Sequence, residues 1–184
     1  MKDLSLHILD IIQNSIRAGA SCVEVKMTAD ENGFIFIGIS DDGKGMDAEQ
    51  ISRVKDPFFT TRTTRKVGLG ISLLSQKAEQ CGGELFVNSD LGIGTEVDVS
   101  FRTDHPDCPP LGDIPGCAWM LMASNPDIRI IFSFIGATGN FNWDSRQIVD
   151  TLEGMPITDG LIRESILDWF ISDFSIFKKS IREL

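Results

Sequence analysis

Ser21–Ser40, SCVEVKMTADENGFIFIGIS, is the stretch that sets the architecture. Ser21–Thr28 (SCVEVKMT) and Gly33–Ser40 (GFIFIGIS) read as strands. The polar turn Asp30-Glu31-Asn32-Gly33 joins them into a hairpin. Upstream, a helix is predicted from about Leu4 to Ala18, closed by Gly19 at a left-handed cap position. Downstream, Asp47 caps a short helix into Lys55, and a threonine-rich loop follows. Leu69–Gln80 then carries a second helical pattern that ends at Cys81-Gly82-Gly83. Glu84–Asn88 and Thr95–Phe101 form a second hairpin around Leu91-Gly92-Ile93-Gly94. Helix, two strands, helix, two strands predicts an α+β fold, a two-layer sandwich of one mixed β-sheet with helices on one face.

Thr103–Pro110 (TDHPDCPP) stacks three prolines and two aspartates and cannot continue a helix or a central strand. Residues 103–110 are therefore expected to link a domain at 1–102 to a small α/β segment at 111–184. In that segment Asp113 is expected to cap a helix through Ala123, stopped by Asn125-Pro126. Ile128–Ile135 and Asn140–Trp143 flank GATG as a hairpin, and helices follow from Ser145 to Leu152 and from Gly160 onward. Nine of the fifteen aromatic residues fall here, so the segment is expected to have a core of its own or to cover the first domain.

The net charge of −10 argues against a chain that grips a phosphate backbone, so no nucleic-acid partner is expected. No apolar run approaches the roughly 18–20 residues that cross a bilayer, and Met1-Lys2-Asp3-Leu4 lacks a signal-peptide pattern. A cytoplasmic protein without a membrane partner is expected. Cys22, Cys81, Cys108 and Cys117 form no CxxC pair and read as reduced thiols. A metal site on His105, Cys108 and Cys117 would lack a fourth ligand.

Chemistry concentrates in three places. On the first helix, Leu4, Ile8, Ile11, Ile12 and Ile16 make an apolar side, while His7, Asp10, Asn14 and Arg17 recur at intervals of three and four. Such a polar column often meets only water. An amide oxygen, a carboxylate and a guanidinium in one line also suit a metal-bound phosphate. Next, the strand into Asp41-Asp42-Gly43-Lys44-Gly45-Met46 delivers a carboxylate to a loop where glycines let backbone approach a flat ligand, although an ordinary Asp-Gly turn has the same spelling. Finally, Arg53, Lys55, Arg62, Arg65 and Lys66 crowd into fourteen residues of an otherwise acidic chain, just before Gly68-Leu69-Gly70. That reversal suits a polyanion held at a helix start.

In this order and spacing the motifs resemble those of the GHKL superfamily of ATPases: histidine kinases, DNA gyrase, MutL-type repair proteins and anti-sigma kinases. LDIIQNSIRAGA looks like the family's N-box, DDGKGM the first glycine box, DPFFTTR the F-box and VGLG the second glycine box. GGELFVNSDLGIGTEVDVSF is similar to the closing hairpin of a histidine-kinase catalytic domain, and the likeness covers about Leu4–Phe101. It implies a Bergerat-type ATP-binding fold with ATP and Mg²⁺ as cofactors. Asn14 becomes the Mg²⁺ ligand, Arg17 a phosphate contact, and Asp41 the adenine-binding carboxylate, supported by Gly43, Gly45 and Thr95. Gly68 and Gly70 become phosphate-loop glycines, and Arg62, Arg65 and Lys66 lid residues. Met46, Phe58 and Leu69 fall beside the nucleotide, the last two as packing residues rather than ligands.

The departures carry expectations too. Lys66 stands where kinase-like members have a glycine, which implies a shorter and less mobile lid. Asp10 stands where hydrolysing members carry Glu, one methylene longer, so it is the candidate general base for a slow hydrolysis. The family's upstream strand and its dimerising helices with a phospho-accepting histidine do not precede the N-box, so about four strands and no self-contained two-component system are expected. Three functions fit the resemblance: a stand-alone regulatory kinase or switch acting on a partner protein, a slow ATP-hydrolysing switch, and a non-catalytic ATP sensor.

Overall fold

The computed structural model describes residues 2–54 and 70–181. Asp3 starts the first helix by accepting the Leu6 N–H on its carboxylate at 3.1 Å, an N-cap that satisfies one orphan donor of the first turn. The helix, α1 (Leu4–Arg17), buries Leu4, Ile8, Ile11 and Ile12, each contributing about 1.5–3 kcal/mol of transfer free energy. It stops at Ala18, and Gly19 follows at φ +81°, as its position in the sequence requires.

Strands β1 (Cys22–Ala29) and β2 (Phe34–Asp41) pair antiparallel, then α2 (Ala48–Arg53) starts on an Asp47–Gln50 capping box. After α3 (Gly70–Gln80) come β3 (Leu85–Asp90) and β4 (Gly94–Arg102), then α4 (Ile114–Ser124) capped by Asp113. The hairpin β5 (Arg129–Gly136) and β6 (Gly139–Asp144) precedes α5 (Ser145–Thr151) and α6 (Gly160–Lys178). The strand order is β3-β4-β2-β1-β5-β6. All neighbours are antiparallel except β1 and β5, so the sheet is mixed, as expected.

Side chains alternate across the sheet with period two. Val23, Val25, Met27, Ile35, Ile37, Ile39, Val97, Val99, Ile130, Phe132 and Phe134 are buried on one face. Glu24, Lys26, Phe36, Glu96 and Asp98 stand exposed on the other. One covered face and one wetted face make the two-layer α+β sandwich that the pattern predicts.

The sheet is larger than the four strands expected, because the C-terminal segment supplies two more. β5 lies parallel to β1, pairing Val23 with Ile130 and Met27 with Phe134, and the buried side chains of both segments form one continuous core. Trp143 of β6 stacks on Phe170 of α6 with ring centroids 4.0 Å apart, and Phe134 meets Phe174 edge-on at 5.6 Å. The reason is the free edge of β1, whose unpaired N–H and C=O groups need a neighbour. Residues 103–110 are also tied down. Thr103 donates its N–H and its hydroxyl to the Gly33 carbonyl, at 2.8 and 2.9 Å. The carbonyls of Pro110 and Leu111 accept from the N–H groups of Leu4 and Ser5, at 2.9 Å each.

Candidate functional site

The polar column of α1 is graded by depth rather than uniformly solvated. His7 is buried where α3 packs against α1; Asp10 and Asn14 are half-buried and Arg17 is exposed. Burial, with Lys77 of α3 adding to it, holds the His7 imidazole below its usual range. Arg17 Nη1 donates to Asn14 Oδ1 at 2.9 Å.

Gly70, the first residue of α3, lies directly against Asp10. A Cβ on Gly70 would overlap the Asp10 carboxylate, so a larger residue there would force the Asp10 side chain to turn away. Gly70 thus brings α3 up against the N-box acid.

Sequence gives two adjacent aspartates, and their surroundings separate them. Asp42 accepts from the Ser21 N–H at 2.7 Å, the Cys22 N–H at 2.8 Å and the Ser21 hydroxyl at 2.5 Å. The Ser21 hydroxyl, followed by these amides, holds the Asp42 carboxyl below the ordinary range, and its oxygens are spent on pinning the start of β1. Asp41 turns to the covered face. Its Oδ2 accepts from the Ser15 hydroxyl of α1 at 2.5 Å, and its Oδ1 from the Gly43 N–H at 2.9 Å.

Thr95 of β4 is the cross-strand partner of Asp41, and Ser89 of β3 is the partner of Thr95, so three polar side chains run in one row across an otherwise apolar face. Ser89 Oγ accepts the Met46 N–H at 2.9 Å, touches Thr95 Oγ1 at 2.9 Å and donates to the Gly94 carbonyl at 2.6 Å. Gly45, at φ +63°, presses against the Asp90 and Gly94 carbonyls, where a side chain would collide with backbone. The loop of the first glycine box is therefore folded against the turn between β3 and β4.

Among the expected site residues, Asp41, Gly43, Gly45, Met46 and Thr95 come together at one end of the sheet, where Ser15 of α1, next in sequence to Asn14, bonds Asp41. Asp10 and Gly70 meet one helical turn further back on α1. Phe58, Arg62, Arg65, Lys66, Gly68 and Leu69 lie outside the described residues. Ser15 and Ser89 were not expected. Ser15 continues the apolar stripe of Ile8, Ile11 and Ile12 and reads as a small core residue. Ser89 lies inside the closing-hairpin stretch, where nothing in its spelling marks it out from its neighbours. Among the described residues no three His, Cys, Asp or Glu cluster as a metal site. The neutral Asn14 oxygen is the donor there that would suit a magnesium ion.

Residues 2–105 match the family described as histidine kinase-, DNA gyrase B-, and HSP90-like ATPase, and the chain belongs to it. It is 34% identical over 93 residues to the sensor histidine kinase ZraS of Escherichia coli, covering 50% of this chain and 20% of that protein. It is 31% identical over 97 residues to the histidine protein kinase DivJ of Caulobacter vibrioides, covering 50% of this chain and 16% of that protein. The chain thus spans a fifth or less of these relatives' length. In fold it is similar to the N-terminal domain of a DNA repair protein, with TM-score 0.56 at 16% identity over 85% of this chain and 59% of that one. That likeness reaches past residue 105, so part of the C-terminal segment has a counterpart there. The chain therefore carries a histidine-kinase-like ATPase domain in a GHKL-type fold. No helix among the described residues is long and apolar enough to cross a membrane.

Proposed function

We propose that the chain binds Mg-ATP and acts as a regulatory kinase or nucleotide-dependent switch on a partner protein. The observation that carries this reading is the Asp41 carboxylate, held at both oxygens by Ser15 and Gly43 and set in a polar row with Thr95. A planar acceptor at the foot of a glycine loop suits the exocyclic amine of adenine. Asn14, one residue before Ser15, supplies a magnesium ligand, and Arg17 a phosphate contact. Magnesium bound there would neutralise phosphate charge. Asp10, against Gly70 of α3, would orient a water or the accepting group.

Phosphotransfer to a partner is favoured over transfer to this domain's own histidines, because His7 is buried within α1 and His105 sits in the turn after β4. The relatives' names as histidine kinases support the same direction. The hydrolysing reading has one observation of its own, the acid at residue 10 beside Gly70. Incubation with γ-labelled ATP and magnesium tests both. Label on a partner protein supports the kinase, free phosphate supports the hydrolase, and absence of ATP binding removes the proposal altogether.

A further inference from the structure

The row Ser89–Thr95–Asp41 has a proton direction, and counting its hydrogens gives it. Ser89 Oγ lies 2.6 Å from the Gly94 carbonyl oxygen, two oxygens that repel unless a proton sits between them. The carbonyl has none to give, so Ser89 donates. Ser89 also accepts the Met46 N–H, and it has only one proton. The 2.9 Å contact with Thr95 Oγ1 is then a hydrogen bond only if Thr95 donates to Ser89. Thr95 has thereby committed its single proton, and only lone pairs remain on its hydroxyl.

The neighbouring carboxylate is arranged in the same sense. Ser15 and the Gly43 N–H both donate into Asp41, which leaves acceptor capacity and no donor. Two side chains facing each other across β2 and β4 thus both present acceptors. Such a pair admits a group with two N–H bonds and rejects one that brings an oxygen lone pair.

Resting on the ATP reading above, we propose that Ser89 is the positioning residue that sets nucleotide selectivity by turning Thr95 into an acceptor. Ser89 is buried; its hold on the Met46 N–H and the Gly94 carbonyl steadies the loop for any purine, while its effect on the choice between purines runs through Thr95. A 6-amino purine satisfies the row, whereas a 6-oxo purine places its oxygen against two acceptors and leaves polar groups unpaired, a cost of ten- to hundredfold in affinity by the usual scale of such mismatches.

The test is calorimetric binding of ATP and of ITP, which differ in carrying an amine or an oxygen at position 6, both with magnesium. The parent is expected to prefer ATP by on the order of tenfold or more. In S89A the Thr95 hydroxyl is free to turn its proton outward, and the ATP/ITP ratio is expected to fall by about threefold or more while still favouring ATP, because Asp41 continues to face the 6-position as an acceptor. T95V is expected to lower the ratio similarly, and S89A/T95V to lower it no further, the non-additivity of a residue acting through its neighbour. S89C, close in shape to serine but a weak hydrogen-bonding partner, serves if S89A fails to fold. A merely structural role would weaken both nucleotides alike and leave the ratio unchanged. A folded S89A or S89C that keeps the parent's ratio overturns the proposal while leaving ATP binding intact. A parent that binds neither nucleotide overturns the ATP reading and this one with it.

Discussion

The Arg17 guanidinium rests 2.9 Å from Asn14 Oδ1, the oxygen expected to meet magnesium. A cation therefore already stands where a metal would arrive, and under the proposed reading loading Mg-ATP would turn Arg17 from the amide towards phosphate. Like charges disfavour any intermediate in which both cations share that oxygen.

Asn14→Ala is accordingly expected to weaken Mg-ATP by tenfold or more, with adenosine affinity changed less than about twofold, because a metal ligand contributes only where phosphate is present. Calorimetry with the two ligands reads the difference. Equal losses would take Asn14 out of the metal site.

Base recognition is tested at Asp41. Asp41→Asn keeps the size but turns one acceptor into a donor, and also disturbs the bonds from Ser15 and Gly43. Loss of a charge-assisted hydrogen bond amounts to roughly 1.5–3 kcal/mol, or ten- to hundredfold in ATP affinity. An unchanged dissociation constant would place the purine elsewhere.

Hydrolysis is expected to be weak, since the Asp10 side chain is short, and Asp10→Asn is expected to abolish it with ATP affinity kept within a few-fold. A general base contributes roughly 10²–10⁴ to rate and little to ground-state binding. Phosphate release measured on both proteins decides, and undiminished turnover in the variant would clear Asp10 of the role.

Stability at low pH depends on the pair at the far side of the sheet. Arg129 Nη2 meets Asp144 Oδ2 at 2.6 Å, and Asp144, fully buried, also accepts the Arg146 N–H at the start of α5. The Arg129 hydrogen bond, ahead of the others, holds the Asp144 carboxyl below its ordinary range. A lowered folded pKa means stability that is present above the unfolded value of about 3.9 and lost as pH falls through the folded one. Asp144→Asn is expected to cost about 1–3 kcal/mol near pH 7, discounted because Arg129 is partly solvated. The gap from the parent in urea unfolding should narrow below about pH 4.

Much of this was legible in the sequence because local rules and fold agree. Asp3, Asp47 and Asp113 cap helices where polar residues precede apolar periodicity, and Gly19 ends α1 as its position requires. Asp41, Gly43, Gly45 and Thr95 announced themselves by motif, and the structure brings them together. Two kinds of feature were not legible. Ser15 and Ser89 are ordinary small residues until their neighbours across the sheet are known. The junction of β1 with β5 was hidden because strand pairing leaves no mark of register or partner in a single sequence, and the prolines of 103–110 gave no sign that the buried residues on either side share one core. His7 joined the polar column by spacing alone, and helix spacing does not say which turn a neighbouring helix will cover.

The parallel pairing of β1 with β5 also fixes the order in which the chain can be completed during synthesis. Val23 waits for Ile130, about a hundred residues later, which at translation speeds of roughly 5–20 residues per second is several seconds or more. Until then β1 is an open edge, and the nascent chain carries Val23, Val25 and Met27 without their final cover. Glu24 and Lys26 on the opposite face interrupt that edge with charge, the pattern that discourages two unfinished chains from pairing with each other.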